Sequence, residues 1–349
     1  MKSFGQKIIT WYNSNKRDLP WRKTKDPYQI WLSEVILQQT RVDQGMSYYQ
    51  KFILNYPTVE VLAHATEDQI LKDWQGLGYY SRARNLHFTA KEIVSKYNGV
   101  FPSTYEEIRS LKGIGDYTAA AISSFAFNLP YSVVDGNVYR ILSRFAGIST
   151  PIDSTEGKKE FSLLAQQLLS KHSPQLYNQA IMEFGSLQCK PAKPNCLVCP
   201  LSNSCFAYEN NKVDALPVKT KSIKIRKRYF HYLVIRDGNE FYIKKRKSKD
   251  IWIGLHDFPM IETKQSTDIE ELTKSAEWRN QLGKSKHRLE KVTNEYKHIL
   301  SHQHIHAKFY EIKTDLKKFN EAGKEWKKVN KESVNDYAVP RLIEDYLNQ

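Results

Sequence analysis

Leu111-Lys112-Gly113-Ile114-Gly115-Asp116-Tyr117-Thr118-Ala119 decides how this chain of 349 residues is read. Two glycines two apart permit a tight turn with positive backbone dihedrals. The helix that follows offers free N–H groups and the positive end of its dipole to a phosphate, and Lys112 adds a charge. Taken alone, a Gly-x-Gly turn is a frequent way to join two helices. Its weight comes from Asp135-Gly136-Asn137-Val138, which follows closely after an Ala-rich helix able to pack tightly.

Working outward, the pattern is helical through residue 205. Asp26 before Pro27 is an N-cap with proline at the first helical position, which predicts a helix through Tyr28 to Thr40. Further helices are expected over 66–74, 83–97, 104–111, 118–125, 138–146, 157–169 and 176–184. After residue 228 the pattern changes. Residues 229–236 and 240–245 are rich in β-formers and are joined by Asp237-Gly238-Asn239, a hairpin signal. Another strand is expected over 305–312 and a short closing helix over 339–346. This reading gives an all-α domain over 1–216 with its glycine hairpin at 110–120, a basic linker over 217–228, and a smaller α/β domain over 229–349.

Composition agrees with two globular domains. Hydrophobic residues make up 40% and charged residues 26%, close to globular averages, so wholesale disorder is excluded. No apolar run approaches the ~18 residues of a membrane span, and the first residues lack a secretory core. The expectation is a soluble monomer, cytoplasmic or associated with the nucleoid, with no membrane partner. The formal net charge is +15, which suits a polyanion. The excess is densest at Lys219, Lys221, Lys224, Arg226, Lys227 and Arg228, a run that also reads as a solvated tether.

All four cysteines, Cys189, Cys196, Cys199 and Cys205, fall in one loop over 189–205 with spacing C-x6-C-x2-C-x5-C. Disulfides do not suit an intracellular chain. Tetrahedral sulfur ligation admits zinc or iron–sulfur. Structural zinc usually takes two C-x2-C knuckles, and only one is present. A single compact loop with uneven gaps better suits a [4Fe-4S] cluster. Lys190 and Lys193 would make that loop a cationic projection facing DNA.

Leu-x-Gly-Ile-Gly-x-Tyr-Thr-Ala, then Val134-Asp135-Gly136-Asn137-Val138, then the cysteine loop, resemble the helix-hairpin-helix DNA glycosylase superfamily. Asp26-Pro27-Tyr28, Trp31-Leu32-Ser33-Glu34, Leu37-Gln38-Gln39-Thr40 and Gly76-Leu77-Gly78-Tyr79-Tyr80-Ser81-Arg82 are similar to its MutY-type adenine DNA glycosylases, in the family's order over nearly all of residues 5–205. The resemblance implies a hydrolase that removes adenine mispaired with 8-oxoguanine, and with G, in base excision repair of double-stranded DNA.

Hydrolysing an adenine N-glycosidic bond requires an extruded base, a proton for the leaving base and a stabilised sugar cation. Two carboxylates in different environments suit the last two tasks. Glu34 lies among Trp31, Leu32, Val35, Ile36 and Leu37, an apolar setting that would raise its pKa, although composition alone is equally met by an exposed helix glutamate. The resemblance makes Glu34 the general acid and Asp135, otherwise a plain N-cap, the residue that stabilises the sugar cation, with Asn137 orienting both. Tyr117 stands where relatives that also cut the backbone carry a lysine. Tyrosine forms no Schiff base, so the expected activity is monofunctional.

By the same resemblance Leu37, Gln39, Thr40 and Tyr79 fill the stack and meet the oxidised guanine, Arg17, Leu19, Trp21 and Arg22 form the adenine-pocket segment, and Glu183 bonds the adenine edge. Gly113 and Gly115 shape the hairpin that grips phosphate. Residues 229–349 resemble the family's Nudix-like recognition domain through Tyr232-Leu233-Val234-Ile235-Arg236, Lys245-Arg246 and Ile251-Trp252-Ile253-Gly254-Leu255-His256-Asp257-Phe258-Pro259. No Arg-Glu-x-x-Glu-Glu run follows Pro259, so phosphohydrolysis is not expected. Leu300-Ser301-His302 resembles the family's Phe-Ser-His loop, with leucine in place of phenylalanine, and assigns Ser301 and His302 to the lesion. Two other readings remain: a bifunctional glycosylase with lyase activity, against which Tyr117 and the extra domain argue, and a catalytically silent DNA-binding protein, against which Glu34 and Asp135 in their motifs argue.

Overall fold

The computed structural model describes residues 3–220, 224–247, 250–283, 286–315 and 325–349. Lys221, in the basic run, lies outside the described residues. The chain divides into two compact units. One comprises Met1–His64 with Asn85–Lys221, the other Ala65–Arg84 with Ser222–Gln349.

The first unit is helical: α1 (Phe4–Asn15), α2 (Pro27–Leu37), α3 (Val42–Asn55), α4 (Val59–His64), then, beyond the excursion into the second unit with α5 (Glu67–Asp73), α6 (Ser81–Tyr97), α7 (Tyr105–Ser110), α8 (Asp116–Phe127), α9 (Gly136–Ala146), α10 (Thr155–Leu168), α11 (Pro174–Leu187) and α12 (Phe206–Glu209). The Asp26 carboxylate caps α2 by accepting from the Tyr28 amide, with Pro27 in the first turn, as the sequence indicates. Helix α2 buries Tyr28, Ile30, Trp31, Leu32, Ser33, Glu34, Val35 and Ile36, so it is wrapped on all sides rather than amphipathic. Against it packs α8, whose Ala119, Ala120 and Ala121 are buried. Helices α1, α3 and α4 were not marked by the sequence patterns.

The α7–α8 hairpin needs its first glycine. Gly113 has φ +79°, and a Cβ there would stand 2.7 Å from the Asn85 Cβ. Gly115 differs from expectation: φ is −93°, an ordinary value, and it serves as the N-cap of α8. A Cβ at Gly115 would meet nothing within 4 Å, so that glycine leaves open space before the helix rather than relieving strain.

The second unit is built on an eight-stranded sheet in the order β3-β2-β1-β7-β5, with β4 on β1, β6 on β7 and β8 on β2. The strands are β1 (Arg226–Asp237), β2 (Glu240–Lys245), β3 (His256–Asp257), β4 (Met260–Thr263), β5 (His287–Val292), β6 (Tyr296–Leu300), β7 (Gln303–Thr314) and β8 (Lys327–Asn330). The hairpin at 237–239 and the strand over 305–312 are present; β1 and β7 pair in parallel along their length. One sheet face carries Phe230, Tyr232, Phe258 and Phe309 under the closing helix α15 (Arg341–Leu347). The other carries Leu233, Ile235, Tyr310 and Ile312 under α13 (Ile269–Lys274) and α14 (Ala276–Leu282).

Two features depart from the linear reading. Strand β1 begins at Arg226, within the run read as a linker, and Arg228 is buried between Asp250 (2.7 Å) and Glu262 (2.5 Å). Segment 65–84 groups with the sheet because polar side chains tie it there: Lys245 Nζ donates to Asp68 (2.6 Å), Lys72 Nζ to the Tyr337 carbonyl (3.3 Å) and Arg84 to the Ile253 carbonyl (2.6 Å).

Candidate active site

Within the first unit, α2, α8, α9 and α11 converge on a cavity of about 510 Å³. Arg17, Leu19, Trp21, Arg22, Glu34, Leu37, Thr40, Tyr117, Asp135, Asn137 and Glu183, eleven of the residues singled out by sequence, line it. Leu37, Gln39 and Tyr117 also line an adjoining cavity of about 290 Å³.

Glu34 is 8% exposed. Burial pushes its carboxyl up to about 7, the hydrogen bond from Tyr117 opposes the shift, and the nearby Asp135 charge reinforces it. The Tyr117 phenol donates to Glu34 Oε2 at 2.8 Å, and its own pKa is held well above the usual value by burial and by the two carboxylates. Asp135 is also raised by burial, against bonds from the Val138 amide and from the amide and side chain of Asn137. Its Oδ1 accepts from Asn137 N (2.9 Å) and Val138 N (2.8 Å), its Oδ2 from Asn137 Nδ2 (2.7 Å). Asp135 is therefore both the N-cap of α9 and a member of the cavity. One carboxyl poised near neutrality, beside a second fixed by three donors, can deliver a proton and shield a cation in one place.

At the opposite wall Glu183 is fully enclosed, with Arg17 donating at 2.9 and 2.6 Å from its side chain and 2.9 Å from its amide, and Arg22 at 2.7 Å. Burial alone would raise its carboxyl, but these bonds outweigh it and hold the group at about 2. Gln179, one turn before Glu183, and Ser186, three residues after it, share the cavity. Sequence reading missed both, although the i, i+4, i+7 spacing on one helix was the available signal.

Behind Asp135, Arg140 joins the site to the cysteine loop. Its Nη2 donates to Asn137 Oδ1 (2.8 Å) and to the Gly185 carbonyl (2.6 Å), and its Nε to the Cys189 carbonyl (2.7 Å). Gly185 allows this closeness, since a Cβ there would lie 2.6 Å from the Asn137 Cβ. Arg144 pins the loop itself, donating to the carbonyls of Lys190 (2.7 Å) and Pro191 (2.9 Å) and lying 3.5 Å from Cys189 Sγ. The four cysteines line one small cavity of about 30 Å³. Among the described residues, no three His, Cys, Asp or Glu side chains gather as around a single ion.

The remaining predicted site residues lie in the second unit. Tyr79, Leu300, Ser301 and His302 line a cavity of about 450 Å³ with Trp252 and Ile299, and the hydroxyls of Tyr79 and Ser301 are 2.6 Å apart. Gln39 (φ +57°) and Tyr79 (φ +47°) both adopt the left-handed conformation, which L-residues occupy at a cost.

A family described as "HhH-GPD superfamily base excision DNA repair protein" matches residues 32–167, and a NUDIX domain matches residues 231–349. The adenine DNA glycosylase of Buchnera aphidicola is 37% identical over 267 residues, covering 76% of both chains. The human adenine DNA glycosylase is 39% identical over 223 residues, 61% of this chain and 41% of that one. Among solved structures, a thermostable thymine-DNA glycosylase superposes with a TM-score of 0.56 at 32% identity, over 59% of this chain and 95% of that one. An endonuclease III–DNA complex shares the fold, with a TM-score of 0.51 at 22% identity, over 59% of this chain and 94% of the enzyme. Among the described residues, no helix is long and apolar enough to cross a membrane.

Proposed function

Because the chain belongs to the adenine DNA glycosylase family of base excision repair enzymes, we propose that it excises adenine paired with 8-oxoguanine, and with G, and that it does so without cutting the sugar–phosphate backbone. An adenine flipped from the duplex enters the cavity of Glu34, Asp135 and Glu183. Glu34, whose carboxyl at about 7 keeps a substantial protonated fraction near neutral pH, gives its proton to N7. The bond from the sugar C1′ to N9 then breaks, and adenine leaves neutral. Asp135 shields the cationic sugar, and the Glu34 carboxylate takes a proton from the water that adds to C1′. Asn137 holds Asp135, and Tyr117 holds Glu34.

The assignment of monofunctional excision follows from Tyr117, which has no amine to form an imine. Glu183 kept as an anion by Arg17 and Arg22 supports its role as acceptor for the adenine amino group. Lesion reading falls to Ser301 and His302, with Tyr79 beside them, and stack filling to Leu37 and Gln39. The α7–α8 hairpin, through Gly113, Gly115 and the α8 N-terminus, grips a phosphate.

Cys189, Cys196, Cys199 and Cys205 suit a [4Fe-4S] cluster. A cubane gives each thiolate its own iron, and the four cysteines of this one loop line a shared cavity. Bound there, it would supply structural order to a loop bearing Lys190 and Lys193. Stoichiometric iron and acid-labile sulfide in anaerobically purified protein test this, and stoichiometric zinc without iron refutes it.

The observation that carries the functional reading is the carboxyl of Glu34, buried, bonded by Tyr117 and sharing its cavity with Asp135. A duplex with adenine opposite 8-oxoguanine, incubated with excess enzyme, tests it. Strand scission only after alkali is expected, with Glu34→Gln inactive. Scission without alkali would assign a lyase, and binding without excision would assign a silent DNA-binding protein.

A further inference from the structure

We infer that the uncovered half of the β1–β7–β6 sheet face is a second DNA-contacting surface, one that grips duplex phosphates irrespective of base. The register builds it row by row. Lys227 on β1 is level with His304 on β7 and Ile299 on β6, and Tyr229 is level with His306 and Lys297. All six side chains therefore project from one face. Farther along the strands this face is covered, where Leu233, Ile235, Tyr310 and Ile312 pack against α13 and α14. At this end Lys227, Lys297 and Ile299 are exposed.

Several cations of the unit are neutralised by carboxylates. Arg226 and Arg228 are paired with Glu262, Arg246 with Asp257, Lys245 with Asp68 and Lys328 with Glu240. Lys227 and Lys297 make no ion pair among the described residues. The acidic group on the face is Glu295, which the His306 ring engages at 2.6 Å. The Tyr229 and His306 rings stack at 5.1 Å between the two lysines. The result is a flat strip with two unneutralised ammonium groups flanking an aromatic pair. Such a surface is complementary to a phosphate backbone. It is also continuous with the β6–β7 turn that carries Ser301 and His302, so a duplex read at the turn would continue along the face. The inference rests on the proposed reading of that turn as a DNA contact.

Full-length Lys227→Ala/Lys297→Ala is the test, with Lys274→Ala/Lys331→Ala as a control that removes two exposed lysines elsewhere in the unit. Affinity is measured against salt concentration for duplexes with adenine opposite 8-oxoguanine and opposite G. If each lysine neutralises one phosphate, the slope of log affinity on log salt falls by about 2, and affinity falls by the same factor on both duplexes. Lys→Arg at both positions restores the slope, and the control leaves it unchanged. An unaltered slope, or an equal loss in the control, overturns the inference. Loss of selectivity between the duplexes reports on the Ser301 turn instead, so failure there and failure here are separable.

Discussion

The phenol of Tyr117 donates to Oε2 of Glu34 at 2.8 Å, which ties it to the residue proposed as the acid. The bond stabilises the ionised carboxylate and opposes burial, which would otherwise raise the carboxyl further. Excision by an acid at about 7 is fastest where Glu34 is protonated and Asp135 ionised. The single-turnover rate is expected to fall as pH rises through about 7. Tyr117→Phe removes a hydrogen bond to a charged group worth roughly 1.5–3 kcal/mol. Its alkaline limb is therefore expected to move up by about one pH unit or more. A limb that stays put or moves down would separate Tyr117 from control of Glu34.

Glu183, proposed to bond adenine, also bears on stability. Its folded carboxyl sits at about 2 against an ordinary 4.5. The stabilisation is thus fully present above 4.5 and is lost as pH falls toward 2, amounting to about 3 kcal/mol. Glu183→Gln leaves Arg17 and Arg22 facing a neutral amide in a closed site, a loss of about 3–5 kcal/mol. Urea unfolding is expected to show that loss at pH 7 and a smaller difference from the parent protein near pH 3. An equal difference at both values would deny the ion pairs their role.

The 2.6 Å contact between the Tyr79 and Ser301 hydroxyls makes the orientation of Ser301 depend on Tyr79. Ser301→Ala with His302→Ala is expected to lower the ratio of single-turnover rates for adenine opposite 8-oxoguanine and opposite G by about tenfold, the equivalent of one or two lost hydrogen bonds. Tyr79→Phe should lower it by a smaller factor. Unchanged ratios in both variants would remove the turn from lesion reading.

Local chemistry explains what could be read from the chain. The cap at Asp26, the α7–α8 turn, Asp135 before α9 and the 237–239 hairpin depend on neighbours a few residues away, and each is where the sequence places it. Glu34 could be suspected of burial because its neighbours on both sides are apolar. What was not legible depends on distant partners. Arg140 bridging Asn137 to the Cys189 carbonyl has no local signature, nor does Arg228, whose place in a basic run conceals two acidic partners, 22 and 34 residues away. The grouping of 65–84 with the sheet rests on lysine and arginine bonds spanning more than 160 residues. The spacing of Gly115 predicts a positive φ, whereas its φ is −93° and a Cβ there would meet open space.

His256, on β3, is 1% exposed, and neither ring nitrogen has a hydrogen-bond partner among the described residues. Its ring packs edge-on against Tyr337 at 4.8 Å. Burial, with Lys327 and Lys245 nearby and Asp68 opposing, lowers its pKa from 6.5 to about 4. The folded state therefore binds this proton less readily than the unfolded chain. Its contribution is fully present above 6.5 and declines as pH falls toward 4, by at most about 3 kcal/mol. Two unpaired buried nitrogens also penalise the folded state at every pH, by roughly 1–3 kcal/mol for each such group. His256→Phe keeps the contact with Tyr337 and removes both effects. It is expected to raise the urea midpoint at pH 7 and to raise it more at pH 5, where the histidine in the unfolded chain is protonated. A midpoint lowered at both values would mean that the ring nitrogens hold a partner, such as a buried water, whose loss outweighs the gain.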